Sequence, residues 1–296
     1  MRREADPNMK TLGNLSVDAF KPLLRERYFK LGLILLLPIV LFGIIGPLVL
    51  PRSLVEMGAL SRNLPPSPTT LLGTDSYGRD IFVILSYSIV PSLTIGLIAG
   101  GLGNIIGFTM GLVGGYKGGR LGDVIGSITN VFMVVPTWPI LVCLAAYVRY
   151  VDLALLALLI ACFSWSFPAR NVRSQVLSLK ERDFVNLAKV NNQSDLSIMF
   201  KEIIPNIASF LVVSIIAGIG WAIQYEVGLE IIGLGPPGQQ SLGWMVYWIM
   251  ISGALYKGMW WWIGPPVAIL ILIFLGLQFM NMGLDVVFNP RLRTRG

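Results

Sequence analysis

Residues 166–206 read SFPARNVRSQVLSLKERDFVNLAKVNNQSDLSIMFKEIIPN, a charged island in an otherwise apolar chain. Phe184, Leu187 and Ala188 recur at i, i+3 and i+4 with Val185 beside them, which makes one apolar helical face. Arg182, Asp183, Asn186 and Lys189 lie around the rest of that helix. Asn191 and Asn192 interrupt the pattern, and asparagine tolerates the left-handed conformation that ends a helix. Ser194 is placed to cap a second helix, whose first turn carries Asp195 at the positive end of the dipole. Leu196, Met199, Phe200 and Ile203 form its apolar stripe, and Pro205 is expected to end it. The pattern predicts two short amphipathic helices joined at 191–192. Two readings are open for them. The hairpin lies on a membrane surface with its basic residues against anionic headgroups, or its apolar side chains insert into a groove on a soluble protein.

The membrane is implied by everything around the island. Hydrophobic residues make up 54% of the 296 and charged residues 13%, with a mean hydropathy of +0.71. A soluble domain carries about twice that charged fraction. Six segments are apolar over roughly the 20 residues that a bilayer core requires: 31–50, 81–113, 124–147, 153–167, 207–227 and 263–286. The expected fold class is an all-α polytopic membrane protein. The chain divides into a tail 1–30, a first span 31–50, a loop 51–80, a core 81–286 and a basic tail 287–296. A cleavable signal peptide is not expected, because thirty mostly polar residues precede the first span.

Six spans put both termini on one side. That side holds seven Lys and Arg in 1–30, two in 114–122, six in 168–206 and three in 287–296. The opposite side holds Arg52, Arg62, Arg79, Arg149 and Lys257. The positive-inside rule therefore makes the island and both termini cytoplasmic in a cell-membrane protein. The net charge of +7 is topological, so no nucleic-acid partner is expected. With no histidine, imidazole metal sites and His-based catalysis are excluded. Cys143 and Cys162 fall inside spans without CxxC spacing and read as small buried hydrophobes.

Several further residues invite a role. Gly96, Gly100, Gly103, Gly107 and Gly111 recur at three- and four-residue spacing, which lets neighbouring helix backbones approach closely. Trp244, Trp248 and Trp260–Trp262 lie in the outer segment 228–262 and read as an interfacial belt, or as part of an outer mouth. Glu226 and Glu230 stand at the outer end of the fifth span, where a carboxylate needs a polar partner or water. A structural hydrogen bond and the lining of an outward cavity are both open for them, and Gln224 and Tyr225 could share that surface. Asp75, Arg79 and Asp80 read as a capped start to the second span, or as an extracytoplasmic docking surface.

Four sequence blocks resemble a known family. LGTDSYGRD at 72–80 is similar to the LGTDxxGRD signature of the shorter permease subunit in the dipeptide, oligopeptide and nickel branch of ABC importers. GLVGGYKGGRLGDVI at 111–125 and ARNVRSQVLSLKERDFV at 169–185 resemble two further blocks of that branch. Glu226, the run IIGLG at 231–235 and Trp244 resemble its E…FLGLG…W block. The island is similar to the EAA loop, with Asn186-Leu187-Ala188 at the EAA positions, Asn192 at the glycine and Ile204-Pro205 at the closing pair. Asn186 replaces the usual Glu, and Asn192 the usual Gly.

The resemblance implies a type I ABC importer transmembrane domain with a cytoplasmic coupling-helix loop. Its implied partners are a second homologous permease, two cytoplasmic ABC ATPases and an extracytoplasmic solute-binding protein, all within membrane lipid. The chain has no GxxxxGK[ST] loop, so it is expected to be a non-catalytic permease without a cofactor, ATP and Mg residing on the ATPases. Arg182, Asp183, Phe184, Leu187, Ala188, Lys189, Asn192, Asp195 and Leu196 become candidate ATPase-coupling residues. The implied cargo is a di- or oligopeptide, with an oligosaccharide or a nickel complex as alternatives. The rival from another class is an ion-coupled secondary transporter, which requires intramembrane acids or inverted repeats with broken helices.

Overall fold

The computed structural model describes residues 21–147, 152–236 and 238–288. Arg149, the end of the basic tail and most of the N-terminal tail lie outside the described residues. A short helix α1 (Lys21–Arg25) leads into α2 (Arg27–Val49), whose N-terminus is capped by Glu26 accepting from the Phe29 N–H at 2.7 Å. The second span, α3 (Ile81–Lys117), runs four residues beyond its expected end. At 37 residues it is about 55 Å long, well over a bilayer core, and Pro91 does not interrupt it.

Two expected spans are bent rather than straight. The third comprises α4 (Gly119–Val134) and α5 (Thr137–Tyr147), which meet at 80°. Pro136 at the junction has no N–H to continue the ladder, and it holds Val135 in an extended conformation. The fourth comprises α6 (Leu153–Ser164) and α7 (Ser166–Leu179), meeting at 41°. The first third of the charged island is thus the continuation of a span, not a surface loop. Among the described residues, four helices are long and apolar enough to cross a bilayer alone, and six spans result when each bent pair counts once.

The island's remaining helices are α8 (Asp183–Val190) and α9 (Asp195–Ile198). Asn192 joins them with a φ of 54°, and the Ser194 hydroxyl accepts from the Ser197 N–H. Pro205 does not end the second helix, contrary to expectation. A wide π turn over Met199–Ile203 carries the chain directly into α10 (Ile204–Ile231), with Pro205 in its first turn. Proline is tolerated there because its missing N–H falls at a helix start, and the Asn206 side chain donates to the Glu202 carbonyl at 2.6 Å. A short apolar helix α11 (Leu242–Ile251) and the last span α12 (Trp260–Phe288) complete the chain.

The glycine stripe on α3 serves two neighbours. A Cβ on Gly100 would stand 2.6 Å from the Gly218 backbone of α10, and one on Gly107 would stand 2.5 Å from the Trp165 carbonyl. Gly111 makes the same approach to Ala169 of α7. Four-residue spacing drifts slowly around a 3.6-residue helix, so the stripe passes from α10 to α7 along its length. Three apolar cores result. One gathers α3, α11 and α12 at the end away from the hairpin, another lies between α3, α5, α6 and α10, and the third joins the hairpin to α3 and α7.

The cysteine expectation is corrected: Cys143 on α5 and Cys162 on α6 are both exposed. The tryptophans are also not a uniform belt. Trp262 is buried in the core and Trp244 and Trp248 are partly buried, while Trp260 is largely exposed.

Candidate functional site

Between the two bent spans lies a cavity of about 440 Å³. Phe132, Met133 and Thr137 from the α4–α5 bend form one wall, and Phe163, Ser164, Phe167 and Asn171 from the α6–α7 bend form another. Asn104 of α3 and Ser214, Trp221 and Tyr225 of α10 close it. The wall is mostly apolar, and two of its polar groups, Asn104 and Ser214, are held in place. The Ser214 hydroxyl donates to Asn104 Oδ1 at 2.6 Å, and Asn104 Nδ2 donates to the Gly100 carbonyl at 2.8 Å. A concave, mostly apolar cavity with a few polar groups is the usual form of a small-molecule site. A bend in each flanking span means the walls can separate at defined joints rather than by deforming a straight helix.

Of the five expected pathway residues, only Tyr225 lines this cavity, its ring 5.6 Å from that of Trp138. Gln224 is exposed on another face of α10. Glu226 and Glu230 are buried on the far side of that helix. The Ser92 hydroxyl donates to Glu226 Oε1 at 2.8 Å, the Ser241 hydroxyl bonds Glu230, and the Leu242 N–H donates to Ser92 at 3.0 Å. The two acids therefore tie α10 to α3 and to the start of α11, the structural alternative. Trp244 packs over Arg79 instead of lining the cavity.

The 72–80 block is a buried knot packed against α11, and its expected docking role is not supported by its placement. Asp75, Arg79 and Asp80 are all buried within this chain. Arg79 Nε donates to Asp75 Oδ2 at 2.6 Å, and Asp75 Oδ1 accepts from the N–H groups of Tyr77 and Arg79. The guanidinium lies between the rings of Tyr77, Trp244 and Trp248 at 4.7–5.3 Å. Gly73 and Gly78 supply the positive φ angles, 72° and 75°, that close the turn. Asp80 caps α3 by accepting from the Val83 N–H at 3.1 Å. Burial pushes the Asp80 carboxyl above its ordinary value, against the pull of the Val83 and Phe82 N–H groups.

At the opposite end the hairpin has two faces. Val185, Ala188, Ile198, Met199 and Ile203 are buried against Leu112 and Tyr116 of α3 and Val172 and Val176 of α7. The Tyr116 hydroxyl donates to Asp195 at 3.1 Å, pinning the start of α9 to the end of α3. Outward, Leu187 is 63% exposed, Val190 78%, Leu196 64% and Phe200 65%. Ala188, expected among the outward apolar groups, faces inward, and Phe184 is only partly exposed. The reason is helical phase: Ala188 follows Val185 by one turn and shares its inward face, while Val190 and Phe200 take the exposed edge. Arg182, Asp183, Lys189, Asn192 and Asp195 are exposed around it.

Known proteins agree with this architecture. Residues 103–294 match the family described as the inner membrane component of binding-protein-dependent transport systems. A putative peptide transport system permease protein of Brucella suis is 32% identical over 93% of this chain and 91% of its own length. The dipeptide transport system permease protein of Bacillus subtilis is 29% identical over 98% of this chain and 90% of its own. The oligopeptide transport system permease protein of Lactococcus lactis subsp. cremoris is 28% identical, covering 81% and 82% respectively. With bent spans around a chamber and a hairpin welded to their ends, this chain belongs to the family of inner membrane components of binding-protein-dependent transport systems.

Proposed function

We propose that this chain forms half of the translocation pathway of an ATP-driven importer of di- or oligopeptides. The observation that carries the reading is mechanical: the hairpin and the cavity share helices. Alpha helix α7 runs from the cavity wall into α8, and α9 runs without a break into α10, the facing wall. A push on the hairpin is a push on the chamber. ATP and Mg act on two cytoplasmic ATPases docked beneath this chain and a second homologous permease. An extracytoplasmic binding protein delivers the cargo. The permease itself performs no chemistry, and both termini are cytoplasmic.

Charge supports docking on protein over lying on lipid. Between Glu181 and Glu202 there are four acids and three bases, whereas interfacial membrane helices are rich in Lys and Arg on their polar face. The exposed apolar edge of Leu187, Val190, Leu196 and Phe200 is what a helix-in-groove contact uses. Peptide cargo is supported by the names of the Brucella, Bacillus and Lactococcus relatives. The test is uptake of radiolabelled peptide into proteoliposomes containing the complete complex and its binding protein. Uptake is expected to require hydrolysable ATP and to ignore collapse of the proton and sodium gradients. Gradient-driven uptake without ATP would overturn the reading.

A further inference from the structure

On the hairpin side of the chamber, α4 and α7 flank a second pocket of about 320 Å³. Gly126, Thr129 and Asn130 of α4 face Arg170, Arg173, Ser174 and Leu177 of α7 across it. Arg173 lies along a glycine face. A Cβ on Gly126 would stand 3.0 Å from its Cζ, so a side chain there would fill the space the guanidinium occupies. Among the described residues neither arginine is ion-paired, and Arg173 Nε is buried without a hydrogen-bond partner. Arg170 Nη1 donates to Met133 Sδ at 3.5 Å, and Met133 lines the chamber. Two guanidinium groups in one pocket repel each other, and the planar fork of each matches a carboxylate through paired N–H donors.

The pocket lies beyond the 41° bend between α6 and α7, on the stretch of α7 that leads to the hairpin. Of its lining residues Asn130, Arg170 and Ser174 are exposed and polar, and Leu177 is exposed beside them; Asp123, Ser127 and Ser178 are exposed on the same two helices. The apolar exposed stripe of α4, Leu121, Val124, Ile128 and Val131, lies on a different face. The pocket adjoins the chamber through Arg170, which reaches Met133 of the chamber wall.

We infer that Arg170 and Arg173 form a carboxylate station, which receives the anionic end of the cargo as it leaves the chamber. This rests on the peptide reading above, since a free peptide carries one C-terminal carboxylate. The arginine fork binds a carboxylate through paired N–H donors, and the exposure of Arg170 to solvent keeps the hold weak enough for release.

The test compares uptake of radiolabelled trialanine and its C-terminal amide by the complete complex with an unaltered binding protein. Wild type and variants share that binding protein, so its own preference cancels between them. Arg170→Gln, whose side chain is exposed, and Arg173→Gln are each expected to lower the acid-to-amide uptake ratio by about 10-fold, the worth of one charge-assisted hydrogen bond. Arg173→Lys is expected to lower it less. Co-purification of all subunits establishes that each variant assembles. An unchanged ratio overturns the station, including a proportional fall for both peptides, which would assign the arginines to packing, to lipid phosphate or to a carboxylate of the second permease. A wild-type complex that hydrolyses ATP yet moves neither peptide overturns the peptide reading itself, and the station with it.

Discussion

Leu187→Asp is expected to reduce ATP-driven uptake by about 100-fold while the chain still inserts and pairs with its second permease. Leu187 is 63% exposed, so the substitution removes almost nothing from the fold of this chain. Its inward neighbours Val185 and Ala188 keep the hairpin on α3 and α7. The loss falls on the docked state. An apolar anchor at the centre of an interface is worth about 2–4 kcal/mol, and an aspartate forced into the same groove adds desolvation. Either contribution alone corresponds to tens- to hundreds-fold in occupancy of the coupled state. Stimulation of ATP hydrolysis by loaded binding protein should fall in parallel with uptake. Deleting 184–196 should do at least as much. Normal uptake by Leu187→Asp would remove the coupling role from this edge.

Arg79→Met is the second large effect, and it acts on stability at the far end of the molecule. Methionine preserves the packing against Tyr77, Trp244 and Trp248 but leaves Asp75 buried and uncompensated. Breaking a buried ion pair from one side costs about 3–5 kcal/mol. The Tyr77 and Arg79 N–H groups still bond Asp75 Oδ1, which holds the cost toward the lower end of that range. Arg79→Lys should be milder, because it keeps the charge and loses only the planar stacking. The check is thermal denaturation of the detergent-purified complex, with a clear drop expected for methionine and a smaller one for lysine. Equal midpoints for all three forms would show that the buried pair contributes nothing.

These two sites also mark what the sequence revealed and what it did not. Hydropathy located the four helices long enough to cross a bilayer alone and the two bent pairs that bring the number to six, because apolar length is a local property. The hairpin turn was legible from Asn192, whose side chain type tolerates the φ of 54° that it adopts. The bend between α4 and α5 was signalled only by Pro136 inside an unbroken apolar run, too weak a mark against the length of the run. Pro205 misled in the opposite sense, since proline both ends helices and begins them, and only tertiary packing decides which.

The chamber was mostly hidden. Charged residues draw attention in a membrane span, yet Glu226 and Glu230 brace α3, α10 and α11. The lining is instead built from uncharged groups, Asn104 and Ser214 among them. An asparagine in the middle of an apolar span was the signal available, since its amide must find a partner there. Likewise, helical period identified the apolar residues of α8 but not which of them face outward. That depends on where α3 and α7 sit, which is why Ala188 turned inward and Val190 and Phe200 joined the exposed edge.

The central claim is that this exposed edge docks on the ATPases. It is tested most directly by a single reporter at position 196, introduced as Leu196→Cys after Cys143 and Cys162 are replaced by serine. In the assembled complex, a short bifunctional thiol reagent should join residue 196 to a cysteine in the ATPase groove, with a yield that changes when ATP is bound. A spin label at the same position should be protected from lipid-soluble oxygen. Failure to crosslink to the ATPase in any nucleotide state, together with strong relaxation by oxygen dissolved in the bilayer, would place the hairpin on the membrane surface and contradict the account.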